Sequence, residues 1–199
     1  MNHLTERNEP WSDIVGAMSL FVLGGLVAVP ASERTDLLAQ STLVTLQSLH
    51  LLDAIGVVEI DPAVSDTATT RETYGLSLDT LANCVIVGGK REGTERIAAC
   101  LVLATGRADV NTIVKRHLDV RKASFLPVDR AVDLTGMEYG GITPIGLPDS
   151  WPILVDHRVL DAEIVVIGSG VRRSKLLIPG QLFSRLSGVQ IIDRLGIED

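Results

Sequence analysis

Two glycine-rich stretches hold the residue types best suited to chemistry. The first reads Thr135-Gly136-Met137-Glu138-Tyr139-Gly140-Gly141-Ile142-Thr143-Pro144-Ile145-Gly146. Adjacent Gly140 and Gly141 let the main chain come close to a ligand, and Pro144 stiffens the chain after it. Such a loop can aim N–H groups at a carbonyl or phosphate oxygen. A tight structural turn would use the same residues. The second stretch reads Gly168-Ser169-Gly170-Val171-Arg172-Arg173-Ser174-Lys175. Three cations come after two glycines in a chain of net charge −7, which suits an anionic ligand. Charges that keep a strand edge from pairing elsewhere would give the same pattern.

Other constellations are missing. No HExxH and no Cys/His cluster has metal-ligand spacing. His3, His50, His117 and His157 are isolated from one another. Around Ser169, Ile167 and Val171 break the G-x-S-x-G pattern of a nucleophile elbow. Arg173 and a strand after it break a G-x-G-x-x-G dinucleotide loop. Cys84 and Cys100 form no CxxC pair and are read as reduced core thiols, on neighbouring strands where oxidation could join them.

Composition and periodicity outline the scaffold that carries these loops. The chain has 199 residues, 46% hydrophobic and 22% charged, an ordinary globular balance with one substantial core. Only 4% are aromatic, so the core is aliphatic. Residues 1–12 are polar and expected to be loose, and 13–199 are read as one domain. Residues 14–29 are apolar but too short for a span and come after acids, so they are read as buried structure rather than a membrane segment, ending in a strand near 26–29 that Pro30 terminates. Leu43, Leu46, Leu49, Leu52 and Ile55 predict a helix over 36–55, stopped by Gly56. Strands are predicted at 57–60, 84–87, 97–104, 123–126, 153–155, 164–167, 176–178 and 189–192, the last ending the structured part. Residues 88–95 read as a long turn between two hairpin strands. Residues 65–74 read as a short exposed helix or a loop over a site. Ser77 is expected to cap a turn over 77–82, and Asp109 a helix carrying Val110, Ile113, Val114 and Leu118. Pro127 opens a helix that ends at Gly136, and Pro179-Gly180 opens a closing one. Strands joined by short turns, with scattered helices and no βαβ repeat, make this an α+β chain with a mixed, partly closed sheet.

In their order and spacing these pieces resemble the YbaK family of aminoacyl-tRNA deacylases, which is similar to the editing domain inserted in bacterial prolyl-tRNA synthetases. The likeness runs from about residue 57 to 192. It rests on Asp61-Pro62-Ala63, the strand at 84–87, Asp109-Val110, Thr135-Gly136 with the Gly140–Gly146 stretch, Val155-Asp156 and the Gly168-Ser169-Gly170 turn.

The resemblance implies a β-barrel-like mixed sheet surrounded by helices and no metal or organic cofactor; the two reduced thiols imply a cytoplasmic protein. The resemblance also implies hydrolysis of the ester joining a wrong amino acid to the 3′-terminal ribose of a tRNA. That makes tRNA the partner, an aminoacyl-tRNA synthetase a further candidate, and a membrane none. The N–H groups of Gly140 and Gly141 are expected to hold the developing oxyanion. Glu138 is a candidate general base, and Asp156, matching a family aspartate, a candidate to orient the loop or the substrate amine. Either acid would equally serve as a surface carboxylate or a strand-end cap. Thr143, Pro144, Gly168, Ser169, Gly170, Arg172, Arg173 and Lys175 are expected around the substrate. One position departs from the family: relatives carry a functional lysine where this chain has Asn83. Lys175 falls close to where many relatives carry an acid. A catalytically silent module that binds tRNA or a synthetase is therefore the alternative, and a binder of a small aminoacyl analogue a third.

Overall fold

The structure is a computed structural model that describes residues 22–198. The expectations for residues 1–12 and for 14–21 lie outside the described residues. In 22–29 only Leu26 and Ala28 are buried, while Val22, Val27 and Val29 are exposed. The strand expected over 26–29 is two short ones, Leu26–Val27 and Val29–Pro30, so Pro30 is a strand residue rather than its end. Two sheets organise the rest. One has four strands in the order Val165–Gly168, Ser174–Ile178, Gly56–Glu59, Val29–Pro30, all antiparallel. The other has five, in the order Val189–Ile192, Ile153–Asp156, Thr94–Leu103, Ala82–Arg91, Ala123–Phe125. Its first three strands run parallel and the remainder antiparallel, so the sheet is mixed. Among the described residues a parallel bridge, Leu81 to Val166, links the two sheets. No helix among the described residues is long and apolar enough to cross a membrane.

The Thr94–Leu103 strand explains why its sequence is a continuous apolar run. Ala99, Leu101 and Leu103 enter the main core, with Leu46, Ile55, Leu176 and Phe183. Ala98, Cys100 and Val102 enter a second core, with Val114, Leu118, Leu154 and Leu195. A strand covered on both faces shows no polar alternation. Its register with the Ala82–Arg91 strand sets Cys84 opposite Leu101 and Cys100 opposite Val85. The two thiols therefore point to opposite faces of the sheet, which rules out the disulfide that neighbouring strands suggested.

Several predicted boundaries move, each for a local reason. The hairpin strands continue through 88–91 and turn in only two residues, Glu92 (φ 51°) and Gly93 (φ 82°). Both central positions have positive φ, as a tight hairpin turn requires. Gly88 and Gly89 are strand residues: a Cβ on Gly89 would lie 2.4 Å from the oxygen of Lys122, so these glycines admit the neighbouring chain. The expected helix over 36–55 shortens to Gln40–Ser48. His50 takes φ 54°, with Leu51 N–H donating to the oxygen of Leu46 and His50 N–H to that of Gln47. That pair of bonds is a Schellman closure with histidine where glycine is usual.

Asp109 caps as predicted, its Oδ1 accepting from Thr112 N–H at 2.9 Å, but the first turn, Val110–Val114, is a π-turn. Ser77 caps no N–H; its hydroxyl donates to the Asp79 carboxylate. The helix Val128–Thr135 ends at Gly136 as the sequence implies. The closing helix is a 3-10 segment, Gly180–Arg185. The chain does not end its structure at 192: Gly196–Glu198 pairs with Gly106–Ala108.

Candidate functional site

A cleft of about 390 Å³ opens where the two sheets meet at the Leu81–Val166 bridge. Its walls are apolar, from Leu81, Val85, Val102, Ile142, Val166 and Ile167. Asp66, Arg107, Arg172 and Lys175 also line it, three cations to one carboxylate. Such a balance attracts anions into a chain that is acidic overall.

Lys175 sits on a central strand of the four-stranded sheet. Leu176 and Ile178 enter the main core, so strand alternation turns Lys175 the other way, toward the cleft. It is only 8% exposed. Its Nζ donates to the main-chain oxygens of Ser65 (2.7 Å) and Gly140 (3.0 Å). An ammonium has three donors, so one remains. Burial pulls its pKa down to about 8; Asp66 opposes that shift and Arg172 adds to it.

Ser65 stands beside it. The residue is 2% exposed and lines the cleft, and its Oγ has no hydrogen-bond partner among the described residues. A Cβ built on Gly140 would come within 2.8 Å of that oxygen. A buried hydroxyl left unpaired is costly, and it marks where a ligand atom can complete the bond. Next in the chain, Asp66 caps the helix Thr67–Tyr74, accepting from Thr69 N–H at 3.1 Å and Thr69 Oγ1 at 2.5 Å. Those Thr69 bonds hold its carboxyl below the usual range. The 65–74 stretch is thus a helix that forms one lip of the cleft. Asn83 also lines it; Thr67 Oγ1 donates to Asn83 Oδ1 at 2.6 Å, which leaves the amide N–H groups of Asn83 for a ligand.

The structure divides the site expected from sequence. Asn83, Gly140, Gly168, Arg172 and Lys175 line the cleft. Gly141 does not: its N–H donates to the oxygen of Glu138 at 2.9 Å, so it is not free to hold an oxyanion. Glu138 does not line the cleft either. Its Oε2 accepts from Arg172 N–H at 2.6 Å, its N–H donates to Gly170, and Gly170 N–H donates to Gly141. These bonds lock the two glycine stretches together. A Cβ on Gly168 would fall 2.2 Å from the oxygen of Gly141, which explains the glycine there.

Asp156 is also placed elsewhere. It is fully buried at a strand end, capping Arg158 N–H (3.0 Å), gripping the Arg158 guanidinium and accepting from Gly196 N–H (2.6 Å). Thr143 and Pro144 are buried behind the loop rather than facing the cleft. Ser169 bonds Ser174 Oγ at 2.6 Å in the interior, and Gly170 serves the loop clamp. Arg173 turns outward to Glu59 and the oxygen of Asp36. Ser65, Asp66, Arg107, Phe125 and Tyr139 were not singled out from sequence. Only the polar 65–74 stretch carried a signal.

An α+β chain with two sheets meeting over such a cleft has solved counterparts. The crystal structure of hypothetical protein APE2540 superposes with TM-score 0.67 at 18% identity, covering 77% of this chain and 98% of that one. A proposed trans-editing enzyme for prolyl tRNA synthetase superposes with TM-score 0.63 at 19% identity, covering 78% and 97%. These likenesses show the fold. In sequence, the uncharacterized protein YwhH of Bacillus subtilis (strain 168) is 28% identical over 127 residues, 63% of this chain and 78% of that protein. The model of the aminoacyl-tRNA editing domain family matches residues 61–186, from the Asp61-Pro62 turn to the end of the closing 3-10 segment. The chain belongs to that family.

Proposed function

We propose that the protein is a freestanding aminoacyl-tRNA deacylase that hydrolyses the ester of mischarged tRNA. Membership of the editing-domain family supports the substrate class, and the fold shared with a proposed trans-editing enzyme supports action in trans. The observation that carries the reading is the set of donors gathered around Gly140. The Gly140 N–H has no acceptor among the described residues, Ser65 Oγ is unpaired, and Lys175 keeps one donor in reserve. The seam between the two sheets offers a place to receive the acyl group.

In this reading the ester carbonyl oxygen enters among those donors, replacing the expected pair of glycine amides by Gly140, Ser65 and Lys175. Water adds to the carbonyl carbon and charge grows on the held oxygen. The bond to the ribose 3′ oxygen then breaks. The proton lost by water reaches that oxygen through the vicinal ribose hydroxyl, so no side-chain base is required. The apolar walls select the amino acid by size, a filter of roughly 1–3 kcal/mol per methylene. Incubation with a panel of mischarged tRNAs tests the proposal: amino acid is released from at least one, whereas no release beside an active control enzyme refutes it.

A further inference from the structure

The chain is poor in aromatics, and most of those described are withdrawn from solvent. Trp151 and Phe183 are buried and Tyr74 is half-buried. Phe125 and Tyr139 are the exceptions among the described residues, 53% and 57% exposed, and both line the same cleft. They come from unrelated elements. Phe125 ends the edge strand Ala123–Phe125, and Tyr139 lies in the glycine loop one residue before Gly140. The Arg172 guanidinium sits 5.6 Å from the Tyr139 ring centroid and also donates to the Tyr139 and Pro62 oxygens, which fixes the ring's surroundings. Packing does not account for two large rings left in water at one cleft mouth.

We infer that Phe125 and Tyr139 are stacking platforms for the unpaired 3′-terminal nucleotides of the acylated RNA. This rests on the deacylase reading and adds the surface that grips the RNA. Bases stack on aromatic rings whatever their identity, while Arg107, Arg172 and Lys175 supply the positive charge that a phosphate backbone requires. The platform flanks the donors around Gly140, so a stacked terminal base would bring its own ribose ester to them.

The test is equilibrium binding of a labelled RNA hairpin with a single-stranded 3′ overhang, ending either in adenosine or in an abasic ribose. The wild-type protein binds the adenosine end more tightly, by roughly 5- to 150-fold. Phe125→Ala and Tyr139→Ala each reduce that preference without lowering the melting temperature, and Phe125→Tyr and Tyr139→Phe keep it. Equal binding of the two ends, or no binding of either at low salt, overturns the inference. Deacylation by a protein indifferent to the terminal base overturns the platform and leaves the deacylase. Base-dependent binding without hydrolysis of any mischarged tRNA does the reverse.

Discussion

Nζ of Lys175 lies 3.0 Å from the main-chain oxygen of Gly140 and donates to it. The same ammonium donates to the oxygen of Ser65, so one buried cation ties the glycine loop to the turn that opens the cleft-side helix.

Lys175 gives opposite pH trends for stability and activity. Burial lowers its pKa from the usual 10.5 to about 8, so the unfolded chain holds this proton more tightly than the fold does. Stability from this residue therefore rises between those two values and is lowest below about 8, where the charge stays buried. In the proposed mechanism the ammonium that assists the ester is lost as pH rises through about 8. After subtraction of spontaneous hydrolysis, the deacylation rate falls above that pH while the melting temperature climbs. Both slopes disappear in Lys175→Met, and a rate that rises through the same range would refute the ammonium's role.

Glu138 is a clamp and its substitution will show it. Glu138→Gln keeps an acceptor for Arg172 N–H and retains most activity, with an unchanged pH profile. Glu138→Ala removes the side-chain bond of the clamp while its main-chain bonds remain, and lowers stability by about 1–2 kcal/mol. A general base would behave differently: both variants would lose about 10²–10⁴-fold in kcat. Single-turnover rates and thermal melts separate the two.

Asp156 holds the fold together at a distance from the chemistry. Burial alone would raise its pKa, but bonds from Arg158 and the Gly196 N–H outweigh that and hold the carboxyl below its usual range. Asp156→Ala leaves the half-buried Arg158 cation with only Glu198 at 3.4 Å and the Gly196 oxygen, strips the acceptor from Gly196 N–H, and is expected to cost about 3 kcal/mol. Below its lowered melting temperature the variant keeps the wild-type KM and kcat.

The thiols should resist pairing. Cys84 and Cys100 face opposite sides of one sheet, and burial raises both, Cys100 to about 12. After mild oxidation of the folded protein and denaturation, thiol titration still finds both cysteines. Loss of both to an intramolecular bridge would contradict the register.

How far the sequence could be read depended on whether a residue's cause was local. Pro127 and Gly136 bracket a helix because each sets its own backbone, and Asp109 caps because its partner is three residues away. Gly88 and Gly89 looked like a turn because the reason for them, the passage of the 120–126 segment, is distant in sequence. The site behaved alike. Gly140 and Lys175 were visible as a bare loop and a basic cluster. The Gly141 N–H is consumed locally, by the Glu138 oxygen three residues earlier, in the tight turn that the same glycines equally allowed. Nothing near Ser65 showed that its hydroxyl would be buried unpaired beside a loop seventy-five positions on.

The donor set around Gly140 stands or falls with Ser65→Ala. Removing an unpaired buried hydroxyl should leave the melting temperature unchanged or raise it. If that hydroxyl holds the ester oxygen, single-turnover deacylation of the best mischarged tRNA falls by about 10²–10³-fold. A variant as active as the wild type, or one whose lost activity tracks lost stability, would contradict that role.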